Sequence, residues 1–215
     1  PQNPKTPNPR NQFCLLNFQE LEKHLGTPMF IKPANLGSSV GVFKVSNEAE
    51  YKEKIEEALT FDPKVLIEKA ILGKEVECAV LGNDKPKASL PGEVVMTTEF
   101  YDFESKYVDK DASSTRVPAD ITESQIDTVR DTAVKAYKAM GCEGLSRVDF
   151  FVTNEGEILI NEINTIPGFT SISMYPKMWE ATGIPYPELI DILIELGIER
   201  YNQEQELRIV AREVK

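Results

Sequence analysis

A chain of 215 residues, 41% hydrophobic and 27% charged, has room for one large domain or two small ones and the make-up of a folded globular protein. Its net charge of −11 argues against non-specific binding to nucleic acid or an anionic membrane, although a local cation could still bring in a small anionic ligand. The single histidine, His24, and the dispersed cysteines Cys14, Cys78 and Cys142 argue against a Ser-His-Asp triad or a multi-histidine metal centre, offer no zinc site and suit a reducing cytosol.

Residues 1–11 hold four prolines and no apolar run, and read as a flexible arm. A short helix is expected over Asn17–Leu25, ended by Gly26, and a short strand over Met29–Lys32. A helix follows over Ser46–Leu59, with Asn47 and Glu50 spaced as a capping box. Strands are expected at Val65–Ala70, Lys74–Leu81 and Gly92–Glu99, the second turning at Gly82-Asn83-Asp84. Phe100–Ala119 is polar, with little periodicity, and is long for an unstructured connection; such loops are often lids.

Thr122–Met140 is the clearest helix. Thr122 and Gln125 form a capping box, Gly141 stops it, and Ile126, Val129, Ala133, Ala136, Tyr137 and Met140 make one stripe. Two more helices are expected near Ser173–Thr182 and Pro187–Tyr201, before a charged tail. The order of elements, with antiparallel pairs and helices packed on one side, predicts an α+β fold. No apolar run is as long as a membrane span and there is no signal-peptide pattern, so a cytoplasmic location is expected.

Between the long helix and the last two lies a hairpin, Leu145–Val152 and Glu157–Asn164, around a Thr153-Asn154-Glu155-Gly156 turn. Pairing Val152 with Glu157 sets Asp149 opposite Ile160 and Arg147 opposite Glu162. Period-two alternation then projects Arg147, Asp149, Glu162 and Asn164 from one face; a three-residue loop would split them across two. Two carboxylates about 4 Å apart repel by roughly 4 kcal/mol at an effective dielectric near 20, so something positive belongs between them. Arg147 could supply that charge, making a solvated salt-bridged face, which is the simpler reading of this hairpin alone. A hard divalent cation with its phosphates is the other.

Two further segments carry chemistry. In Phe30-Ile31-Lys32-Pro33-Ala34-Asn35-Leu36-Gly37-Ser38-Ser39-Val40-Gly41-Val42, small residues let backbone N–H groups approach an anion, and Lys32 offers a point charge to phosphate. It is not a Walker A sequence, and taken alone a Gly-Ser loop is more often a plain hairpin turn. Val65–Glu77 delivers Glu68 to a strand end, where backbone groups could meet a purine edge and carboxylates a ribose; two ordinary strands with solvated charges are the bland alternative.

The order of these signals resembles the ATP-grasp superfamily. The wording of four of them, Lys32-Pro33-Ala34-Asn35-x-Gly37-Ser38-Ser39-Val40-Gly41, Tyr101–Tyr107, Arg147-Val148-Asp149 and Asn161–Thr170, is similar to the D-alanine–D-alanine ligase family, from about Leu25 to Arg200. The resemblance implies two α+β lobes with largely antiparallel sheets, the central one incomplete. Residues 1–24 would be an atypical arm and short helix, 25–92 part of the central lobe, 93–200 the catalytic lobe and 201–215 a charged tail.

It also implies roles. Lys32 would contact ATP phosphates, as would Lys106. Lys69 and Ile71 would meet adenine through their backbones, with Glu68 and Glu75 near adenine and ribose. Asp149, Glu162 and Asn164 would ligate two Mg²⁺ ions, with Mn²⁺ a substitute. Arg147 would stabilise the transferred phosphoryl group, and Gly168 would offer an N–H to the oxyanion. Ser38 and Tyr107 would belong to a triad closing the lid, and Ser173 and Met174 would help bind a second D-alanine. Tyr107 favours a dipeptide ligase over the family's D-alanine–D-lactate members.

The implied activity is ATP-dependent joining of two D-alanines through D-alanyl phosphate, for peptidoglycan precursor synthesis. The family's N-terminal domain and the front of its central lobe have no match here. That leaves an alternative, an ATP- and Mg²⁺-binding fragment without ligase turnover. The expected partners are D-alanine, and either a second copy in a homodimer or the missing domain in trans, with no nucleic acid and no membrane.

Overall fold

The computed structural model describes residues 16–96, 113–170 and 172–213. They divide into two compact units, one made of the described residues up to Ala70 and the other of those from Ile71 onward.

The first unit is a three-stranded antiparallel sheet under two helices. Helix α1 (Phe18–Leu25) starts at Asn17, whose side chain accepts the Gln19 N–H, and stops at Gly26, which takes a positive φ of 75°. Strands β1 (Met29–Pro33) and β2 (Phe43–Val45) form a hairpin in which Ile31 faces Phe43, and β3 (Val65–Lys69) pairs with the other edge of β1. Helix α2 (Glu48–Phe61) connects β2 to β3. Alternation puts Met29 and Ile31 in a core with Val45, Tyr51, Ile55, Ala58, Phe18 and Leu21, and leaves Phe30 and Lys32 on the other face. Asn47 caps α2 as expected, accepting from the N–H groups of Ala49 and Glu50. The capping box is not closed in its usual form, because the Glu50 carboxylate reaches one residue further back, to the Ser46 N–H at 2.7 Å.

The second unit is built on a six-stranded antiparallel sheet. Strands β6 (Gly92–Met96) and β7 (Ser113–Arg116) lie on one side of β4 (Gly73–Leu81), and β8 (Leu145–Thr153) and β9 (Ile158–Asn164) on the other; β5 (Lys87–Ala88) pairs with the end of β4. Residues 113–116 of the expected polar lid are thus a strand, paired with β6 from Glu93–Arg116 to Met96–Ser113. The rest of that segment up to residue 112 lies outside the described residues. Gly73 is required where it stands: a Cβ there would run into the backbone of Val152 and Thr153 on β8.

Helices cover both faces of this sheet, not one. Helix α3 (Glu123–Ala139) has the complete Thr122–Gln125 capping box and packs Val129, Ala133 and Tyr137 against Val76, Val80, Val148, Phe150 and Val152. Met140, expected in that stripe, is 66% exposed because it is the C-cap, where the chain turns away at Gly141. On the opposite face α4 (Met174–Thr182) and α5 (Tyr186–Glu213) bury Met174, Tyr175, Met178, Trp179 and Leu189 over Ala79 and Leu81. The reason lies in β4, whose first half alternates while Cys78-Ala79-Val80-Leu81 is buried throughout. The helices on the second face cover only that buried end. Further along, the same face carries Glu75, Glu77, Arg147 and Asp149.

Candidate active site

In the first unit, Lys32 on β1 and Glu68 on β3 project from the side of the sheet away from its core. Register sets Phe30 opposite Glu68 and Lys32 opposite Leu66, so the two charges meet on a diagonal, with Nζ 2.8 Å from Oε2. Half-exposed ion pairs of this kind contribute little stability. The β1–β2 connection carries Ser38 and Ser39 at φ of 55° and 60°, followed by Gly41 at 72°. Two consecutive non-glycine residues in the left-handed region cost roughly 1–2 kcal/mol each, which is the kind of local strain that functional loops store. Lys69 ends β3 at the surface, and Ala70 donates its N–H to the Pro28 carbonyl.

In the second unit, β4, β8 and β9 lay out two polar rows. Glu77, Asp149 and Glu162 are directly opposite one another across the three strands, and Ala79, Arg147 and Asn164 form the next row. Val152 faces Ile158 and not Glu157, and Thr153 donates its N–H to the Glu157 carbonyl at 2.8 Å, so the loop is one residue shorter than the sequence suggested. A bulge between Asp149 and Phe150 then makes Asn161 the extra residue of this strand. Each slip alone would flip the faces; together they cancel. Arg147, Asp149, Glu162 and Asn164 therefore do share a face, with Asp149 opposite Glu162 and not Ile160, and Arg147 opposite Asn164.

Arg147 grips Asp149 with two bonds, Nε to Oδ1 and Nη2 to Oδ2, both 2.7 Å. Its Nε also lies 3.3 Å from Glu77 Oε2. Burial opposes the guanidinium's charge, but the Asp149 bonds and then the charges of Asp149, Glu77 and Glu162 outweigh it and hold its pKa above the ordinary arginine value. Sequence reasoning missed Glu77. The only available signal was its period-two spacing from Glu75, because its pairing with Asp149 joins segments far apart in the chain. Glu75 is one row further along, opposite Phe151.

The loop after β9 holds Gly168 close to Ser173, whose Oγ accepts the Thr170 N–H at 3.1 Å and pairs with Thr170 Oγ1 at 2.9 Å. Ser173 is the N-cap position of α4, and the Met174 side chain is buried in the core beneath that helix. Ile71 follows β3 at the start of the second unit. Lys106 and Tyr107 lie outside the described residues.

Among the described residues no group of three or more His, Cys, Asp or Glu side chains gathers as a metal cage. Asp149, Glu162 and Asn164 instead offer two carboxylates and an amide, all hard oxygen donors. That set fits Mg²⁺, which keeps waters and phosphates in its shell and takes one or two carboxylates from protein. No helix among the described residues is long and apolar enough to cross a membrane.

Comparison with known proteins places these features. The family model described as D-ala D-ala ligase C-terminus matches residues 8–195. A D-alanine–D-alanine ligase of Oceanobacillus iheyensis is 55% identical over 193 residues, 90% of this chain and 53% of the relative. The D-alanine-D-alanine ligase structure from Coxiella burnetii aligns with a TM-score of 0.79 at 44% identity, covering 92% of this chain and 51% of that one. The VanG D-Ala:D-Ser ligase of Enterococcus faecalis aligns with a TM-score of 0.73 at 42% identity, covering 83% of this chain and 52% of that one. The chain spans about half the length of the relatives it matches, at 53% of the Oceanobacillus ligase. Its α+β architecture is the ATP-grasp fold of these ligases, and the chain belongs to the D-Ala–D-Ala ligase family, matching its C-terminal part.

Proposed function

We propose that this chain is the ATP-binding and phosphoryl-transfer part of a ligase that joins two D-alanines for peptidoglycan precursor synthesis. The observation that carries the reading is the open sheet face on which Arg147, Asp149, Glu162 and Asn164 stand in two adjacent rows. Phosphoryl transfer asks a protein for positioning and charge neutralisation more than for covalent chemistry, and this face supplies both.

A carboxylate oxygen of the first D-alanine attacks the γ-phosphorus of ATP and ADP leaves, giving D-alanyl phosphate. The amine of the second D-alanine attacks the acyl carbon, and phosphate leaves. Lys32 contacts ATP phosphates and Glu68 keeps its ammonium aimed. Lys69 and Ile71 meet adenine through their backbones, and Glu75 meets the ribose. Arg147 faces the transferred phosphoryl group, and the Gly168 N–H faces the oxyanion of the tetrahedral intermediate. Ser173 and the main chain of Met174, at the start of α4, receive the second D-alanine. Asp149, Glu162 and Asn164 hold Mg²⁺, two ions in this reading, which when bound neutralises the phosphate oxygens. Ser38 and Tyr107 serve the lid triad that keeps water from the acyl phosphate, and Lys106 contacts phosphate. The reaction belongs in the cytoplasm, where ATP is held.

The test is phosphate release from the chain with ATP, Mg²⁺ and D-alanine, alone and with a separately made N-terminal half of a relative such as the Oceanobacillus ligase. D-Alanine-dependent phosphate in either arm supports the ligase reading, and the second arm alone points to a partner in trans. ATP binding without D-alanine-dependent phosphate in both arms leaves the nucleotide-binding fragment. Sedimentation equilibrium in the same buffer reads whether the chain forms a homodimer.

A further inference from the structure

Glu77 stands directly opposite Asp149, one strand over, with a side chain as enclosed as its neighbour's: both are 15% exposed, and Arg147 is 19% exposed. The three form one charged cluster with an uneven division of bonds. Arg147 commits two short bonds to Asp149, at 2.7 Å each, and keeps a longer 3.3 Å ion pair with Glu77 at the same Nε. If a cation is to take Asp149, the guanidinium must loosen its hold there without leaving the face on which it meets phosphate. A second carboxylate already facing the same nitrogen gives it somewhere to stay.

We propose that Glu77 is a positioning residue for Arg147, holding the guanidinium on this face while Asp149 exchanges its guanidinium bonds for a divalent cation; the inference rests on the phosphoryl-transfer reading of the site. Glu77 itself need not touch cation or substrate. Without it Asp149 alone holds the guanidinium, and an incoming cation that takes Asp149 sets it loose.

Two measurements on the whole 215-residue chain test this. The first is Mn²⁺ affinity in the presence of ATP, read from the paramagnetic resonance signal of free Mn²⁺. The second is solvent exchange of the Arg147 Nε–H, observed by NMR and assigned by its loss in Arg147→Lys. Glu77→Gln is expected to weaken Mn²⁺ binding about 10-fold, as loss of a group supporting a metal ligand does, and to speed Nε–H exchange. Glu77→Asp, which keeps the charge on a shorter stem, should recover part of both and carries the test if Glu77→Gln does not fold. In an Arg147→Gln background, Glu77→Gln should change Mn²⁺ affinity by less than about twofold, since the interaction it removes is already gone.

An undiminished loss in that background would overturn the proposal, because Glu77 would then act by its charge alone. Unchanged Nε–H exchange in Glu77→Gln would also overturn it. A wild-type chain that binds no Mn²⁺ with ATP would sink the functional reading and the exchange step with it. The Nε–H measurement would still decide separately whether Glu77 holds Arg147.

Discussion

Asp149 and Glu162 stand directly opposite each other across β8 and β9, and they do so because Asn161 is the extra residue of a bulge. Remove that residue and the ladder becomes regular, with Ile160 still facing Phe150, Glu162 still facing Asp149 and Ile163 still on the core side. Deleting Asn161 is therefore expected to change stability by no more than about 1 kcal/mol and to leave divalent-dependent ATP binding in place. Deleting Ile163 instead sets Asn164 or, if the bulge is absorbed, Glu162 opposite Val148 on the core side, and should cost about 3 kcal/mol or more, the scale of burying unpaired polar groups. Urea unfolding of the two deletions checks the pair; similar midpoints would mean that Asn161 is not the spare residue of this ladder.

That bulge also marks the limit of what the sequence could tell. The alternation of β8 was legible, since Ser146, Val148, Phe150 and Val152 are buried and the residues between them are not. The capping box at Thr122 and Gln125 was legible because it is a local hydrogen-bond pattern. Nothing in Ile160-Asn161-Glu162 announces an extra residue, because a bulge is fixed by the ladder on either side of it. The place of Glu77 beside Asp149 was hidden for a related reason: strand order is decided by long-range pairing. The two-sided helical cover could have been seen. Cys78-Ala79-Val80-Leu81 is an unbroken apolar run, the pattern of a strand end buried on both faces.

Asp149→Asn separates the structural and functional parts of the site. It removes one of the carboxylates that face Arg147 and leaves one amide oxygen to accept from the guanidinium in place of two carboxylate oxygens. The expected loss is about 2 kcal/mol, the scale of a hydrogen bond to a charged group. Beyond that loss, Mg²⁺ with ATP should raise the wild-type melting temperature and leave the variant's unmoved. Thermal melts with and without the nucleotide distinguish the two effects. An equal rise in both proteins would show that Asp149 does not serve the cation.

Asp62 makes part of the first unit's stability pH-dependent. It is buried, and its carboxylate accepts the N–H groups of Lys64 at 2.9 Å and Asn35 at 2.7 Å, and the Asn35 side chain at 2.9 Å. The Lys64 N–H leads in holding its pKa below the usual 3.8; burial opposes this and the Asn35 bonds assist. A lowered folded-state pKa means stability that is fully present above the unfolded value and is lost as pH falls through the folded one. Asp62→Asn should therefore lower the urea midpoint at pH 7 and flatten its dependence on pH below about 4. Parallel slopes for variant and wild type in that range would assign the acid sensitivity elsewhere.

Cys78 reports on the opening of the second unit. It sits on β4 within the core under α3, and burial pushes its thiol up to about 12, against the smaller pull of the Ser89 side chain and the Arg130 charge. The thiolate is the reactive form, so at pH 8 a buried thiol of this kind waits for the fold to open. Cys142, just beyond α3, is only partly buried and its pKa is raised by burial as well. Cys142 should react with a thiol reagent under native conditions, and Cys78 only through unfolding, with peptide mapping to tell them apart. Where opening limits the reaction at equilibrium, the rate at Cys78 follows the open population. A ligand that binds the folded unit lowers that population by 1 + [L]/Kd. Mg²⁺ with ATP at about 10 times its Kd should then slow Cys78 labelling roughly 10-fold and leave Cys142 much less affected. Labelling of Cys78 as fast as Cys142, or untouched by saturating nucleotide, would mean that this strand opens locally and that ligand binding and core stability are not linked through β4.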